Sequence, residues 1–390
     1  MITVIGSDGS ELSPGARAKV DQAALVTGPE RVIRRVRPDP GVPRVVAGDV
    51  LRALDEHLEG SAGGPAVVLA DGDPGFFGPV RELRAHGLAP EVLPAASLVS
   101  RAFAHAGLAW EDALVVGTPE LRRAANVCRA HHKVAVLAAP GVGPAELARE
   151  LAPTTPRALI VFEDLGGPDE RIIHSRMGEA TTRPWKNPGI VLVVDPRHRR
   201  PGEVWLAGAR PGPGEWAAES HGSPGIGAEA RAFVLARLGP RLGDLVWDIG
   251  AGHGEVSVDC AGFGAAVFAV ERDAGRCEVI KRRVLAHGVK VALTRGQAPA
   301  ALEPLPDPDG VYVAGGGPEV VAACAKRGPA ALVCALREAE RAPAVLAVLR
   351  EYGYRAEGVR IHAERLAERP DGTLAAAPAD PVLILHGTRR

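Results

Sequence analysis

Three glycines and two acidic residues in the second half of the chain have a spacing that suits nucleotide binding. An apolar run contains Asp248 and is followed by Gly250, Gly252 and Gly254. A strand that ends in such a loop and enters a helix points backbone N–H groups at a ligand, and glycine permits close approach. Glu271 closes the next apolar run, 21 residues after Gly250. A carboxylate there can accept hydrogen bonds from both ribose hydroxyls, each worth about 1.5–3 kcal/mol.

Two nucleotide ligands are candidates for a strand, loop and helix of this kind. A dinucleotide site prefers the pattern G-x-G-x-x-G, with pyrophosphate at the helix N-terminus. Asp248 would repel a pyrophosphate, but it suits a ligand that carries an ammonium and a sulfonium. The pattern therefore favours S-adenosylmethionine. A tight turn that binds no ligand is the remaining alternative.

The elements that position this loop follow an α/β pattern, because short apolar runs alternate with amphipathic helical patterns. The segment 201–216 is rich in proline and glycine, which disfavour helix interiors and central strands, so we predict an interdomain linker there. We predict a first domain over 1–200, with lobes of about 1–108 and 109–200, and a second domain over 217–390.

Individual elements follow from the same runs. In the first domain, strands are predicted at 2–6, 23–28, 66–70, 90–94, 112–117, 134–139, 158–164 and 190–195. In the second domain, strands are predicted at 244–249, 265–271, 289–293, 310–315, 331–336, 354–361 and 382–387, with helices at 227–238, 273–287 and 338–352.

Composition narrows the class of protein. Hydrophobic residues make up 46% of the chain, which is enough to form the hydrophobic cores of folded domains. The formal net charge is −1, so no overall positive charge indicates binding to nucleic acid. The five cysteines have no metal-ligand spacing, which indicates free thiols and no metal site. The N-terminus lacks a basic region, and no apolar run reaches the length of a membrane span. We expect a cytoplasmic protein without a membrane partner.

The glycine loop belongs to a longer set of matching segments. "LVWDIGAGHGEVSV", "AVFAVERD", "RGQAPAAL" and "DGVYVAGGG" together resemble the CbiT-type precorrin methyltransferase/decarboxylase family over roughly the last 170 residues. The resemblance implies an adenine contact at Gln297 and Ala298, where the family usually has Asp–Ala. It also implies that Gly315 lies near the reacting ligand. Arg272, next to Glu271, is a further candidate for the ribose edge.

A segment before the first helix of this domain carries the family's remaining positions. "HGSPGIGAEAR", 221–231, corresponds to a family segment resembling H-D-G-x-I-T-K and to the arginine that follows it. The resemblance implies catalytic roles for His221 and Arg231. The threonine and lysine positions are occupied by Ile226 and Gly227, a departure that bears on decarboxylation.

Three segments of the first half have a family resemblance of their own. "LADGDPGFFG", "VLPAASLVSRAFAHAGLAWEDALVV" and "FEDLGGPDERI" resemble the CbiE branch of the tetrapyrrole methylases over roughly 1–200. The resemblance implies a two-lobed tetrapyrrole methylase fold with cofactor contacts at Asp73 and Ser97. The first loop, "VIGSDGS", is shorter than in the family, and Asp71 replaces a serine. The shortened first loop and the reduced segment "APGVGPAEL", 139–147, predict weak cofactor binding, or none, in this half.

The order of the two halves resembles the fused CobL-type precorrin-6B C5,15-methyltransferase (decarboxylating) family. It implies a tetrapyrrole methylase fold followed by a Rossmann-like class I S-adenosylmethionine methyltransferase domain, and a homo-oligomer active in cobalamin biosynthesis. The implied tetrapyrrole substrate carries many carboxylates, for which arginine is a suitable partner. Candidates are Arg101, Arg231 and Arg272. The alternatives are a diverged paralogue that methylates another small molecule, and a first half that serves only as a dimerisation scaffold.

Overall fold

The computed structural model describes residues 1–46, 49–60, 63–197, 207, 225–378 and 380–389. The chain forms two compact units. The first contains Met1–Pro119, Lys133–Arg149 and Arg157–Gly208, and the second contains Glu120–His132, Glu150–Pro156 and Ala209–Arg390. The predicted linker lies outside the described residues apart from Ala207. The domain limits at 200 and 217 therefore stay predictions.

The first unit begins with a parallel five-stranded sheet in the order β3-β2-β4-β1-β5. Its central strands β1 and β4 carry buried aliphatic side chains because helices cover both faces. Its strands are β1 (Ile2–Ser7), β2 (Leu25–Gly28), β3 (Arg44–Val46), β4 (Ala66–Asp71) and β5 (Glu91–Leu93), and its helices are α1 (Pro14–Asp21), α2 (Glu30–Val36), α3 (Val50–Glu59), α4 (Val80–Ala85) and α5 (Leu98–Ala106).

A second five-stranded sheet follows in the order β6-β7-β10-β8-β9, and only its β6–β7 pair is parallel. Phe162, Ile190 and Leu192 lie in the core cluster that this sheet shares with α5. The strands are β6 (Leu114–Val116), β7 (Lys133–Leu137), β8 (Ala158–Glu163), β9 (Arg171–Arg176) and β10 (Pro188–Val194), and the helices are α6 (Leu121–Ala130), α7 (Pro144–Leu151) and α8 (Met177–Thr182). Helix α6 lies within the range assigned to the second unit.

The second unit is built on a seven-stranded sheet in the order β13-β12-β11-β14-β15-β19-β16, in which β19 runs antiparallel to both of its neighbours. Its strands are β11 (Leu245–Ile249), β12 (Ala266–Glu271), β13 (Ala292–Arg295), β14 (Gly310–Val313), β15 (Ala331–Leu336), β16 (Arg355–Ile361) and β19 (Val382–Thr388). A separate antiparallel pair comprises β17 (Glu364–Glu368) and β18 (Leu374–Pro378). The helices are α9 (Ala228–Leu238), α10 (Glu255–Gly262), α11 (Ala274–Ala286), α12 (Pro318–Lys326) and α13 (Ala342–Glu351).

Strand β11 is buried on both faces, which explains its continuous apolar run. Trp247 packs into one core cluster, and its indole N–H donates to the carbonyl of Pro306 at 3.0 Å. Val246 packs into the cluster on the opposite face, which includes residues of α9 and α10. The strand is therefore held rigidly where it leads into the glycine loop.

The predicted fold class is confirmed, and most predicted elements agree with the structure within a few residues. The predictions missed β3, β9 and the β17–β18 pair. Strand β3 has three exposed residues, β9 has one buried residue, and no residue of β17 or β18 whose burial is described is buried. The strand predicted at 289–293 instead begins at Ala292. No helix among the described residues has the length and apolar character needed to cross a membrane.

Candidate active site

The loops after four neighbouring parallel strands meet at one edge of the second unit's sheet. From β11 the chain proceeds outward to β12 and β13, and it then returns to place β14 on the other side of β11. The strand order therefore reverses between β11 and β14. Ligands of open α/β sheets bind in the crevice at the carboxyl ends of the strands at such a point.

The loop after β11 is stabilised by backbone contacts with both neighbouring strands. The N–H groups of Gly250 and Ala251 donate to the carbonyl of Val270 at 2.9 and 3.1 Å. Gly250 has φ +75°, and a Cβ on it would lie 3.1 Å from the backbone nitrogen of Gly315. Glycine is thus required for the close approach of the two loops. Gly254, the N-cap of α10, packs against Ile280.

Two glycines leave room for a ligand on the open side of this crevice. A Cβ on Gly252 would find no heavy atom nearer than 3.9 Å, and one on Gly315 would find none within 4 Å. Gly252 has φ +59°, which also disfavours larger residues. The predicted positions of both glycines beside a bound cofactor are compatible with this open space.

Glu271 connects the end of β12 to the glycine loop. Its carboxylate is buried, Oε2 accepts the N–H of Gly252 at 2.9 Å, and Oε1 accepts the N–H of Asp273 at 2.9 Å. Each carboxylate oxygen has two acceptor sites, so one remains on each after these bonds. The side chain is therefore fixed in orientation while it still has acceptor capacity for two hydroxyl groups.

The residues predicted at the adenine and ribose edges follow neighbouring strands. Gln297 and Ala298 follow Gly296 in the loop after β13, whose Arg295 is paired in register with Glu271. Gln297 is exposed and Ala298 is half-buried against the core. Arg272 follows Glu271 with an exposed side chain. All three lie on loops at the same edge of the sheet as the glycine loop.

Asp248 was predicted to contact the cofactor, but its side chain lies buried beneath the loop. The side chain is 1% exposed, and its Oδ2 accepts the hydroxyl of Ser257 at 2.5 Å. Burial raises the pKa of Asp248 to about 7, the Ser257 hydrogen bond opposes that shift, and the nearby charges of Glu255 and Glu271 add to it. Its Oδ1 has no hydrogen-bond partner among the described residues. Asp248 thus ties β11 to helix α10.

Of the two residues predicted to be catalytic, Arg231 lies within the described part of the chain. His221 lies outside the described residues. Arg231 is 2% exposed on α9, and its Nε lies 2.9 Å from Oδ2 of Asp259 on α10. Burial raises the pKa of Asp259 to about 6, while Arg231 lowers it. This placement indicates that Arg231 pairs two helices, and it gives no support to a substrate contact.

In the first unit the predicted cofactor-binding residues have local partners. Asp73 Oδ1 accepts the N–H of Gly75 at 2.8 Å, which closes a turn. Ser97 is the N-cap of α5 and accepts the N–H of Ser100 at 3.0 Å. Arg101, a candidate for a substrate carboxylate, lies 3.6 Å from Glu170. All three side chains have partners within the first unit, and their contacts with a ligand stay predictions.

Sequence reasoning missed several polar residues that the fold brings together. Glu255 and Ser257 are buried near Asp248 on the first turn of α10. In the first unit, Arg31 and Arg35 both contact Asp71. The sequence does contain a signal for the two arginines. Arg31 and Arg35 are four residues apart on α2, and residues at this spacing share one face of a helix.

Together the fold and the site define a class of protein. A glycine loop lies at the switch point of a doubly wound sheet, and two five-stranded sheets precede it in the chain, as expected for a two-domain methyltransferase. A family profile for tetrapyrrole (corrin/porphyrin) methylases matches residues 5–181, and one for a precorrin methyltransferase domain matches residues 226–383. The chain belongs to the precorrin methyltransferase family and joins a CbiE-like domain to a CbiT-like domain.

Three relatives illustrate the extent of the similarity. A precorrin-6Y C(5,15)-methyltransferase [decarboxylating] from Sinorhizobium sp is 34% identical over 66% of this chain, and the match spans 63% of that relative's length. A probable cobalt-precorrin-6B C(15)-methyltransferase (decarboxylating) from Pyrobaculum calidifontis is 34% identical over 45% of this chain and 95% of its own. A precorrin-6Y C(5,15)-methyltransferase [decarboxylating] from Mycobacterium tuberculosis is 29% identical over 85% of this chain and 84% of its own.

Proposed function

We propose that this enzyme transfers methyl groups from S-adenosylmethionine to carbon atoms of a precorrin in cobalamin biosynthesis, with precorrin-6B as the substrate and C5 and C15 as the acceptors. The observation that carries the cofactor assignment is Glu271. Its buried carboxylate is aligned by two backbone N–H groups and retains acceptor sites beside an open glycine loop. The names of the relatives support the substrate class.

The residues of the second unit would act mainly by binding and alignment. S-Adenosylmethionine, when bound, supplies an electrophilic methyl group on a sulfonium. Glu271 would hold the ribose hydroxyls, Gln297 and Ala298 would contact the adenine, and Gly252 and Gly315 would leave space for the ligand. Fixing both reactants in this way corresponds to effective molarities of about 10⁵–10⁸ M. The electron-rich tetrapyrrole itself is the nucleophile, so no side-chain nucleophile is required.

The residues that the family resemblance associates with decarboxylation are replaced in this chain. Ile226 is half-buried against the core of the second unit, and Gly227 is the N-cap of α9. Neither residue offers a charge or a hydroxyl to a substrate carboxylate. Arg231, the nearest basic residue on α9, is already paired with Asp259. A diverged paralogue that only methylates is therefore the second candidate function.

A mass balance on the product tests both candidates. With precorrin-6B and isotope-labelled S-adenosylmethionine, we expect methylated product that retains its carboxylate to accumulate ahead of carbon dioxide release. Mass spectrometry of early time points measures the ratio of the two. Carbon dioxide released in step with methylation would contradict the slow-decarboxylation prediction. No labelled methyl on the tetrapyrrole would contradict the proposed substrate.

Two further expectations belong to this proposal. All five cysteines are unbridged and buried, which suits a reducing compartment such as the cytoplasm.

Homo-oligomer formation is expected from the family resemblance. Mass photometry of the purified protein at several concentrations measures the assembly directly.

A further inference from the structure

Asp71, at the carboxyl end of β4, is held between two arginines of α2. Its Oδ2 lies 2.6 Å from a terminal nitrogen of Arg31, and its Oδ1 lies 3.1 Å from a terminal nitrogen of Arg35. The same nitrogen of Arg35 donates to the carbonyl of Ser7 at 3.3 Å. Arg31, Arg35 and Asp71 together form one charged cluster.

This cluster has more donor capacity than its single carboxylate uses. Two guanidinium groups face one carboxylate, so one positive charge is in excess. The Nε of Arg35 and the hydroxyl oxygen of Ser7 are buried, and neither has a hydrogen-bond partner among the described residues. The side chain of Arg31 is 43% exposed, which leaves its other N–H groups accessible. Buried polar atoms without partners are uncommon in folded proteins.

The cluster also lies where a parallel sheet binds ligands. Strands β1 and β4 are neighbours at the centre of the first sheet, and Ser7 and Asp71 are paired in register at their carboxyl ends. From β1 the chain crosses to β2 beyond β4, and from β4 it crosses to β5 beyond β1. The strand order therefore reverses between these two strands, and the crevice outside their carboxyl ends is the expected ligand position.

We propose that Arg31 and Arg35 form a carboxylate-binding subsite in the first unit, and that Asp71 is an internal counter-ion which an incoming carboxylate displaces. Arginine presents a planar fork that binds a carboxylate through two parallel hydrogen bonds. The identity of the ligand rests on the proposed function, because either a side chain of the tetrapyrrole or the methionine carboxylate of the cofactor supplies this group.

The test uses the full-length protein and two kinds of probe. Uroporphyrin, a stable porphyrin rich in carboxylates, is titrated by fluorescence quenching. S-Adenosylhomocysteine and methylthioadenosine, which differ by the carboxylate-bearing part, are titrated by calorimetry. The variants are Arg31→Met, Arg31→Lys and Asp71→Ser. Arg34→Met is the matched control, because Arg34 lies on the same helix and pairs with Glu30 at the exposed surface.

The expected result is that Arg31→Met weakens uroporphyrin binding by about tenfold or more, as loss of a charge-assisted contact predicts. Arg31→Lys should restore part of the affinity, Asp71→Ser should raise it, and Arg34→Met should leave it nearly unchanged. An effect confined to S-adenosylhomocysteine, and absent for methylthioadenosine, would assign the carboxylate to the cofactor.

Two results would overturn the subsite. Equal losses in Arg31→Met and Arg34→Met would mean that only net charge attracts the probe. Unchanged binding of every probe in Arg31→Met and Asp71→Ser would mean that the cluster is a structural ion pair alone. Both titrations are independent of turnover. Failure of methyl transfer to precorrin-6B with intact probe binding would therefore contradict the proposed function and leave the subsite in place.

Discussion

Replacement of Glu271 by alanine is expected to weaken S-adenosylmethionine binding by about 10–150-fold, as loss of a charge-assisted contact of about 1.5–3 kcal/mol predicts. The physical reason is that this carboxylate is aligned by the N–H groups of Gly252 and Asp273 and retains free acceptor sites. Calorimetry on the full-length protein measures the dissociation constant. S-Adenosylhomocysteine serves as a second ligand in the same measurement.

Two further variants test whether the loss of affinity is specific to the Glu271 carboxylate. Glu271→Gln keeps one acceptor oxygen and the shape of the side chain, so an intermediate loss is expected. Glu278→Ala removes an exposed acid of α11 that pairs with Lys281, and it should leave cofactor affinity unchanged. If Glu271→Ala binds the cofactor as tightly as the natural protein, the ribose is held by other groups.

Replacement of Asp248 by asparagine is expected to remove part of the pH dependence of stability. The pKa of Asp248 is raised from its ordinary value of 3.8 to about 7, chiefly by burial. The folded protein therefore holds a proton that the unfolded chain releases, and the free energy of unfolding falls as pH rises from about 4 to about 7. At 1.36 kcal/mol for each pKa unit, this destabilisation reaches at most about 4 kcal/mol at alkaline pH.

The measurement is urea denaturation of the natural protein and Asp248→Asn at pH 5.5 and 8.5. Asparagine still accepts the Ser257 hydroxyl but carries no charge, so the variant should gain stability relative to the natural protein at the higher pH. Asp380→Asn is the control, because it removes an exposed carboxylate of the same unit. Equal pH dependence in all three proteins would show that Asp248 does not titrate in this range.

The candidate cofactor site was predictable because its parts are close in the sequence. A strand, a crossover helix and the next parallel strand pack in one preferred hand, which brings the ends of β11 and β12 side by side. The glycine spacing and Glu271 therefore indicate one crevice from the sequence alone. The exact partners of Glu271 were not predictable, because they depend on the path of the loop between Gly250 and Gly254.

What the sequence determined by itself is the succession of two methylase-type α/β domains and the strand, loop and acid of the second. What only the tertiary structure decided is the role of charged residues whose partners are distant in the chain. Arg231 on α9 contacts Asp259 on α10, and Arg35 contacts Asp71, which is 36 residues away. The physical reason is that apolar periodicity specifies which face of an element is buried, while the packing of elements determines which charges meet there.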